Sequence, residues 1–153
     1  MMHVVLVHPQ IPGNTGSAGR TCLAAGARLH LVEPLGFSLD EARVRRAGLD
    51  YWPHVDLRVH ASWEALQDDL PAIDDALFFT RHTDQSFLDE PPLPADPIFV
   101  FGSETSGLPP DLLKAHWNRR FSLPILSPHV RSLNLANTVT AVVYEGLRRQ
   151  GGR

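Results

Sequence analysis

The chain contains a single cysteine, Cys22, among its 153 residues. One cysteine excludes an internal disulfide and a cysteine-based zinc cluster, which favours a reducing compartment. Because no histidine and supporting acid can be assigned to it from the spacing, we interpret Cys22 as a small buried hydrophobe. The eight histidines are scattered without metal-ligand spacing, so we expect no metal.

Long apolar runs are also missing. No segment approaches the ~18 consecutive apolar residues of a membrane span, and residues 1–7 lack the basic start and long apolar core of a secretory signal. We therefore expect a cytoplasmic protein with no membrane partner. The net charge of -3 at pH 7 gives no overall basic signature of nucleic-acid binding, so local charge has to carry any such function.

Lysine is nearly absent, since 13 of the 14 basic residues are arginine. The rigid fork of donors on arginine suits phosphate, so arginine clusters can bind an RNA backbone or can simply be solvated surface. The clusters are Arg43, Arg45 and Arg46; Arg119 and Arg120; and Arg148, Arg149 and Arg153.

Apolar runs alternate with helix-forming segments along the chain. Strands are predicted at 3–7, 29–32, 55–59, 76–80, 98–101 and 121–123. Helices are predicted at 15–25, 40–47, 63–70 with Ser62 as N-cap, 109–115 and 133–149. The proline-rich stretch 84–97 is predicted to be an extended connector without helix. This alternation indicates one α/β domain over residues 1–153, with a mostly parallel sheet flanked by helices.

Three polar segments stand next to these apolar runs: HPQIPGNTGSAGRTC at 8–22, FVFGSETSGLP at 99–109 and SLNLAN at 132–137. Taken alone, the last is an ordinary helix N-cap and the stretch from Gly102 to Gly107 an ordinary turn. Ligands bind where the strands of α/β sheets end, so three such segments together indicate one composite site. No G-x-G-x-x-G follows the first strand, which argues against a Rossmann site.

The same segments, with LHLVEPLGF at 29–37, RRAGLDYW at 45–52 and SLNLANTVTAVVYE at 132–145, resemble the SPOUT superfamily of RNA methyltransferases. Within it, the chain is similar to the single-domain group that methylates the ribose 2′-hydroxyl of the tRNA wobble nucleotide, position 34, a cytidine or modified uridine. The resemblance implies S-adenosylmethionine as methyl donor, the tRNA anticodon arm as partner, a homodimer and a C-terminal trefoil knot. Periodicity could not have indicated the knot, because threaded chains are so rare.

The resemblance also implies roles for individual residues. Arg20 is placed beside the attacking hydroxyl, with Asn14 near it and Glu104 close to the site. Because arginine does not readily lose its proton, we expect Arg20 to orient phosphate and stabilise developing alkoxide. Glu104 could accept a hydrogen bond in the reaction or anchor its motif. The residues implied in cofactor binding are Phe79, Gly102, Leu123, Ile125, Ser132, Leu133 and Asn134.

The cluster of Arg43, Arg45 and Arg46 is the candidate contact with the anticodon arm. Two alternatives stay open at this point. The same chemistry could act on another tRNA site or on ribosomal RNA, or the chain could be a non-catalytic RNA-binding dimer that keeps the pocket.

Overall fold

Six strands form one parallel sheet in the computed structural model, which describes residues 1–39 and 50–152. The strands are β1 (His3–Val7), β2 (Arg28–Val32), β3 (Leu57–His60), β4 (Leu77–Phe79), β5 (Ile98–Phe101) and β6 (Arg120–Phe121). Their order across the sheet is β3-β2-β1-β5-β4-β6, with every pairing parallel. The predicted α/β fold with a parallel sheet is therefore confirmed, and the strand bounds differ from the predicted ones by at most two residues.

Four α-helices are described: α1 (Pro12–Ala25), α2 (Trp63–Asp69), α3 (Pro110–Ala115) and α4 (Leu135–Arg149). Helix α1 begins three residues before the predicted start, because Pro12 fits the first helical position, where its missing N–H costs nothing. The Ser62 Oγ accepts from the Ala65 N–H at 3.1 Å, which confirms the predicted N-cap of α2. The helix predicted at 40–47 and the cluster of Arg43, Arg45 and Arg46 lie outside the described residues.

The prediction that the connector 84–97 has no helix was wrong. A short 3₁₀ helix, Phe87–Asp89, forms just before the prolines, and the Ser86 Oγ accepts from the Leu88 N–H at its start. Phe87 is fully buried and packs edge-on against the rings of Phe79 and Phe99. Burial of one large aromatic side chain stabilises this turn enough to override the local signal for extended chain.

The core lies on both faces of the sheet. On one face the strands pack against α1 and α4, where Val139, Val142 and Val143 are fully buried, which confirms the predicted apolar face of α4. Cys22 in α1 is also fully buried, and burial raises the pKa of its thiol to about 12, as suits a small hydrophobe. On the other face, Leu66 of α2 packs against alternate strand residues.

Three histidines form a hydrogen-bonded row across neighbouring strands. His3 Nδ1 lies 2.9 Å from His30 Nε2, and His30 Nδ1 lies 2.9 Å from His60 Nε2. The row ends at Asp69, whose carboxylate is 3.4 Å from His60 Nδ1. Burial, together with the neighbouring histidines, lowers the pKa of His30 to about 3.

The position of β1 and β5 at the centre of the sheet decides where a ligand can bind. The chain passes from β1 to β2 on one side, while β5 pairs with β4 on the other, so the strand order reverses between β1 and β5. Crevices at the carboxyl ends of strands beside such a reversal are the usual ligand sites of α/β sheets.

The trefoil knot stays a prediction. Among residues 1–39 and 50–152, no helix is long and apolar enough to cross a membrane.

Candidate functional site

A cleft of about 560 Å³ opens at the carboxyl ends of β4 and β5. Its walls come from the segments 79–82, 101–108, 122–125 and 131–138, with Ile11 and Asn14 from the region of α1. The three polar segments that the sequence indicated therefore meet in one place. The volume lies within the range of pockets that hold small molecules and cofactors.

All seven residues predicted for cofactor binding line this cleft: Phe79, Gly102, Leu123, Ile125, Ser132, Leu133 and Asn134. Phe79 is held by stacking on Phe101, with ring centroids 4.9 Å apart and planes 15° apart. Leu123 and Ile125 are partly buried, whereas Leu133 is exposed. The cleft thus combines apolar walls with polar groups at its edge.

A chain of side-chain hydrogen bonds joins the three polar segments. Asn134 caps α4 by accepting from the Asn137 N–H at 3.2 Å, and its Nδ2 donates to Asn14 Oδ1 at 3.1 Å. Asn14 Nδ2 in turn donates to Glu104 Oε2 at 3.3 Å. The start of α4, the first turn of α1 and the loop after β5 are therefore tied to each other through polar side chains.

Glu104 anchors this series of hydrogen bonds. In addition to Asn14, its carboxylate accepts from the backbone N–H of Gln10 at 2.9 Å and of Ile11 at 2.6 Å. Ile11 is the N-cap residue of α1 and offers no side-chain cap, so Glu104 brings a negative charge to a helix start from a distant segment. Bonds to an ionised acceptor are stronger than neutral ones, so both oxygens have a structural task. The sequence left open whether Glu104 accepts a hydrogen bond in the reaction or anchors its motif, and these contacts favour the anchor.

The two glycines of the loop after β5 close a tight turn. Ser103 and Gly107 exchange backbone hydrogen bonds of 3.2 and 3.0 Å, and Gly107 has φ +68°, a conformation that favours glycine. A Cβ on Gly102 would lie 2.0 Å from the Gly107 carbonyl carbon. The stretch is therefore both the turn that its composition indicates and a wall of the cleft.

Arg20 does not share this cleft. It is exposed on α1, and its guanidinium carbon lies 5.6 Å from the centroid of the Tyr51 ring. Arg20 comes six positions after Asn14 in the helix. It is therefore displaced from Asn14 by about 9 Å along the helix axis and by a full turn plus about 240° around it. The structure brings Asn14 and Glu104 together and leaves Arg20 on another face of α1.

Several cleft residues were missed by the sequence analysis. Thr80, Arg81 and His82 follow β4 directly, and Arg131 precedes Ser132. Three polar or basic residues directly after a predicted strand could have indicated this part of the site, because the residues that bind ligands in such sheets follow the carboxyl ends of the strands. Arg81 and Arg131 are exposed and give the cleft a basic rim. Among the residues that the structure describes, no group of three or more His, Cys, Asp or Glu is arranged to hold a metal.

The chain is similar to known proteins over nearly its whole length. The model of a family described as the SpoU rRNA Methylase family matches residues 1–144. A tRNA (cytidine(34)-2'-O)-methyltransferase of Burkholderia ambifaria is 49% identical over 99% of this chain and 97% of its own. A relative with the same description from Acidovorax is 47% identical, with 97% of this chain and 92% of its own covered.

Solved structures are similar as well. One that concerns 2-OH methylation of C/U34 on tRNA superposes with a TM-score of 0.90 at 42% identity, covering 100% of this chain and 98% of the other. The SpoU methyltransferase AviRb of Streptomyces viridochromogenes, in complex with AdoMet, gives a TM-score of 0.84 at 25% identity, covering 100% of this chain and 59% of the other.

Proposed function

The chain belongs to the SpoU rRNA methylase family, and on that premise we propose that it is an S-adenosylmethionine-dependent tRNA 2′-O-methyltransferase. It transfers a methyl group to the ribose 2′-hydroxyl of nucleotide 34, a cytidine or modified uridine. The observation that carries the proposal is the meeting of three polar segments in one cleft, in a chain 49% identical to a relative of that description. The finer expectations belong to the same proposal: one domain over 1–153, a knotted C-terminal segment and a cytoplasmic location.

The cleft fits the methyl donor. The aromatic ring of Phe79 and the side chains of Leu123 and Ile125 offer apolar contact to an adenosine, while Ser132 and Asn134 offer polar groups at the rim. This pairing of apolar walls with a few convergent polar groups is what small-molecule sites show. When bound, S-adenosylmethionine supplies a methyl group already activated by a sulfonium charge.

The residues of the chain then have to place the sugar oxygen in line with that methyl carbon. Correct placement supplies most of the help in a direct displacement, so rigid support of the cleft matters more than acid or base strength. The hydrogen bonds that join Asn134, Asn14 and Glu104 provide this support, because they hold the start of α4 against the loop after β5. We therefore assign Glu104 and Asn14 a positioning role.

Arg20 needs a second subunit to take part. It is exposed and lies outside the cleft of its own chain, over Tyr51. In the homodimer that we propose, Arg20 of one protomer approaches the ribose held at the cleft of its partner. There its guanidinium donates to the neighbouring phosphate and to the developing alkoxide.

The basic rim of the cleft supports RNA as the substrate. Arg81 and Arg131 are exposed beside the cleft, where they can neutralise phosphates on either side of the target nucleotide. The proposed contacts with the anticodon arm are these two residues together with the cluster of Arg43, Arg45 and Arg46.

The experiment is transfer of labelled methyl from S-adenosylmethionine to unmodified tRNA by the purified protein, with mass spectrometry of the digested RNA. We expect one 2′-O-methylated nucleotide, at position 34. Label in ribosomal RNA or at another tRNA position would keep the chemistry and change the substrate. Normal cofactor binding with no labelled RNA would favour a non-catalytic RNA-binding dimer and overturn the proposal.

A further inference from the structure

A second cavity, of about 350 Å³, lies on the other side of the loop after β5. It is lined by residues that follow three neighbouring strands: His8 and Gln10 after β1, Leu35 and Gly36 after β2, and the turn that includes Leu108 after β5. The cavity therefore occupies the crevice beside the reversal of strand order between β1 and β5.

The two cavities share one thin wall. Ser103, Ser106, Gly107 and Leu108 line both of them, so a single tight turn separates the space for the methyl donor from the second cavity. The Thr105 hydroxyl, on the side of the first cleft, donates at 2.6 Å to Oε1 of Gln10, which lines the second cavity. This bond therefore joins the linings of the two cavities.

His8 and Gln10 are the polar residues that the segment after β1 contributes to the lining of the second cavity. The His8 ring Nδ1 lies 3.2 Å from the Val32 carbonyl oxygen, which can only accept, so Nδ1 carries the proton and Nε2 of the neutral ring is an acceptor. Gln10 Oε1 already accepts from Thr105, and no described residue accepts from its Nε2 hydrogens. These two side chains thus provide one acceptor and one donor among the residues that line the cavity.

The backbone of His8 has an unfavourable conformation that its neighbours stabilise. Its φ of +55° lies in the left-handed region, which a histidine rarely adopts, and its backbone N–H donates to the same Val32 oxygen as its ring. The Gly36 N–H donates to the Pro9 oxygen at 2.9 Å, and a Cβ on Gly36 would lie 2.7 Å from the Gln10 Cα. Strained backbone that neighbouring segments hold in this way is typical of ligand sites.

We propose that the second cavity binds the pyrimidine base of the target nucleotide, while its ribose crosses the bond between Gln10 and Thr105 toward the methyl donor. The inference rests on the proposed function and deepens it. Cytosine places an amino donor beside a ring acceptor, and uracil places a ring N–H beside carbonyl acceptors, so both match one acceptor on His8 and one donor on Gln10. Leu35 and Leu108 contact the faces of the base.

The first test uses Gln10→Glu. The new carboxylate still accepts from Thr105, but the Nε2 donor is lost, so the fold of the wall is kept while one base contact disappears. Substrates are four tRNA transcripts that differ only at position 34, and kcat/KM is measured for each. Gln67→Glu, the same change on an exposed residue of α2, is the control.

For the wild type we expect C34 and U34 transcripts to be preferred over A34 and G34. Gln10→Glu should lower kcat/KM for C34 by about tenfold and reduce that preference, as the loss of one base-edge contact predicts. The dissociation constant for S-adenosylhomocysteine, measured by calorimetry, should stay within about twofold, because the change is on the far side of the wall. An unchanged preference with a lower rate for all four transcripts overturns the proposal.

A second test does not depend on activity. Cytidine 5′-monophosphate is titrated into protein saturated with S-adenosylhomocysteine, and backbone amide NMR signals are followed. We expect shifts at Gly36 and Gly107 that disappear in His8→Gly, a variant that keeps the positive φ and removes the ring. Shifts confined to the first cleft, equal binding of adenosine 5′-monophosphate, or a changed oligomeric state in His8→Gly would each overturn the assignment. If no RNA is methylated at all, the proposed function fails, and the titration still decides whether the cavity binds a pyrimidine.

Discussion

Replacing Glu104 with glutamine tests whether this side chain anchors the site or accepts a proton. In the best orientation of the new amide, its oxygen keeps the contacts with the Ile11 N–H and the Asn14 Nδ2 that Oε2 has now. Its NH₂ group then faces the Gln10 N–H, donor against donor, where Oε1 now accepts at 2.9 Å. One charge-assisted bond is lost and two become neutral.

The expected cost follows from these three bonds. A hydrogen bond to a charged group contributes about 1.5–3 kcal/mol, and a neutral one about 0.5–1.5 kcal/mol. Glu104 is only partly buried, so water replaces some of the loss, and we expect a decrease of about 2 kcal/mol in the free energy of unfolding. For a chain of this size that lowers Tm by about 4–8 °C.

The assay combines thermal unfolding followed by circular dichroism with calorimetry of S-adenosylhomocysteine binding. Glu64→Gln, the same change on an exposed residue of α2, is the control and should change stability by less than about 0.5 kcal/mol. We expect Glu104→Gln to unfold earlier and to bind the cofactor product more weakly. A variant with wild-type Tm and wild-type cofactor affinity but no methyl transfer would refute the anchor and identify Glu104 as the proton acceptor.

Three further predictions follow from the site and the core. Gly102→Ala should cost at least about 3 kcal/mol and close the cleft, because its Cβ would lie 2.0 Å from the Gly107 carbonyl carbon; urea unfolding and cofactor titration measure both effects. Arg20→Ala should abolish methyl transfer to tRNA while the affinity for S-adenosylhomocysteine stays nearly wild-type, because Arg20 lies outside the cleft of its own chain. Burial lowers the pKa of His30 to about 3, from 6.5 in the unfolded chain, so the unfolded state binds more protons between these values. The free energy of unfolding should therefore fall as the pH falls from about 6.5 toward 3, and His30→Asn should flatten that part of the curve.

Each of these has a result that would contradict it, and the glycine variant also has a matched control. Gly13→Ala places a Cβ in open space within a helix and should be neutral or slightly stabilising, and an equal loss in both glycine variants would remove the steric argument. Wild-type turnover by Arg20→Ala would exclude Arg20 from the mechanism. An unchanged pH profile in His30→Asn would show that other groups carry the acid sensitivity.

The secondary structure was accessible from local pattern to a large extent. Runs such as 3–7 and 98–101 were predicted with the bounds that the structure has, because residues buried on both faces of a sheet are almost uniformly apolar. Ser62 caps α2 as predicted, because capping depends on neighbours within three residues. Phe87 shows the opposite case, since the core that buries it comes from Phe79 and Phe99 and no local rule includes them.

The residues of the candidate site were predicted from a family resemblance and not from local pattern. The seven residues predicted to bind the cofactor came from a resemblance to known sequences, and all line one cleft. Their function in binding stays a prediction. The resemblance did not indicate that Glu104 would be saturated by three N–H donors, nor that Arg20 would stand apart from the cleft.

By itself the sequence determined where most of the strands and helices form and which polar segments follow them, because these depend on burial period and on neighbours a few residues away. Only the tertiary structure decided that Asn14 meets Glu104, 90 residues away, and Asn134, 120 residues away. It also decided that His8 and Gln10 line a second cavity, because that depends on the order of the strands in the sheet. Contacts over such separations arise from packing the whole chain at once, and they leave no local pattern to be recognised.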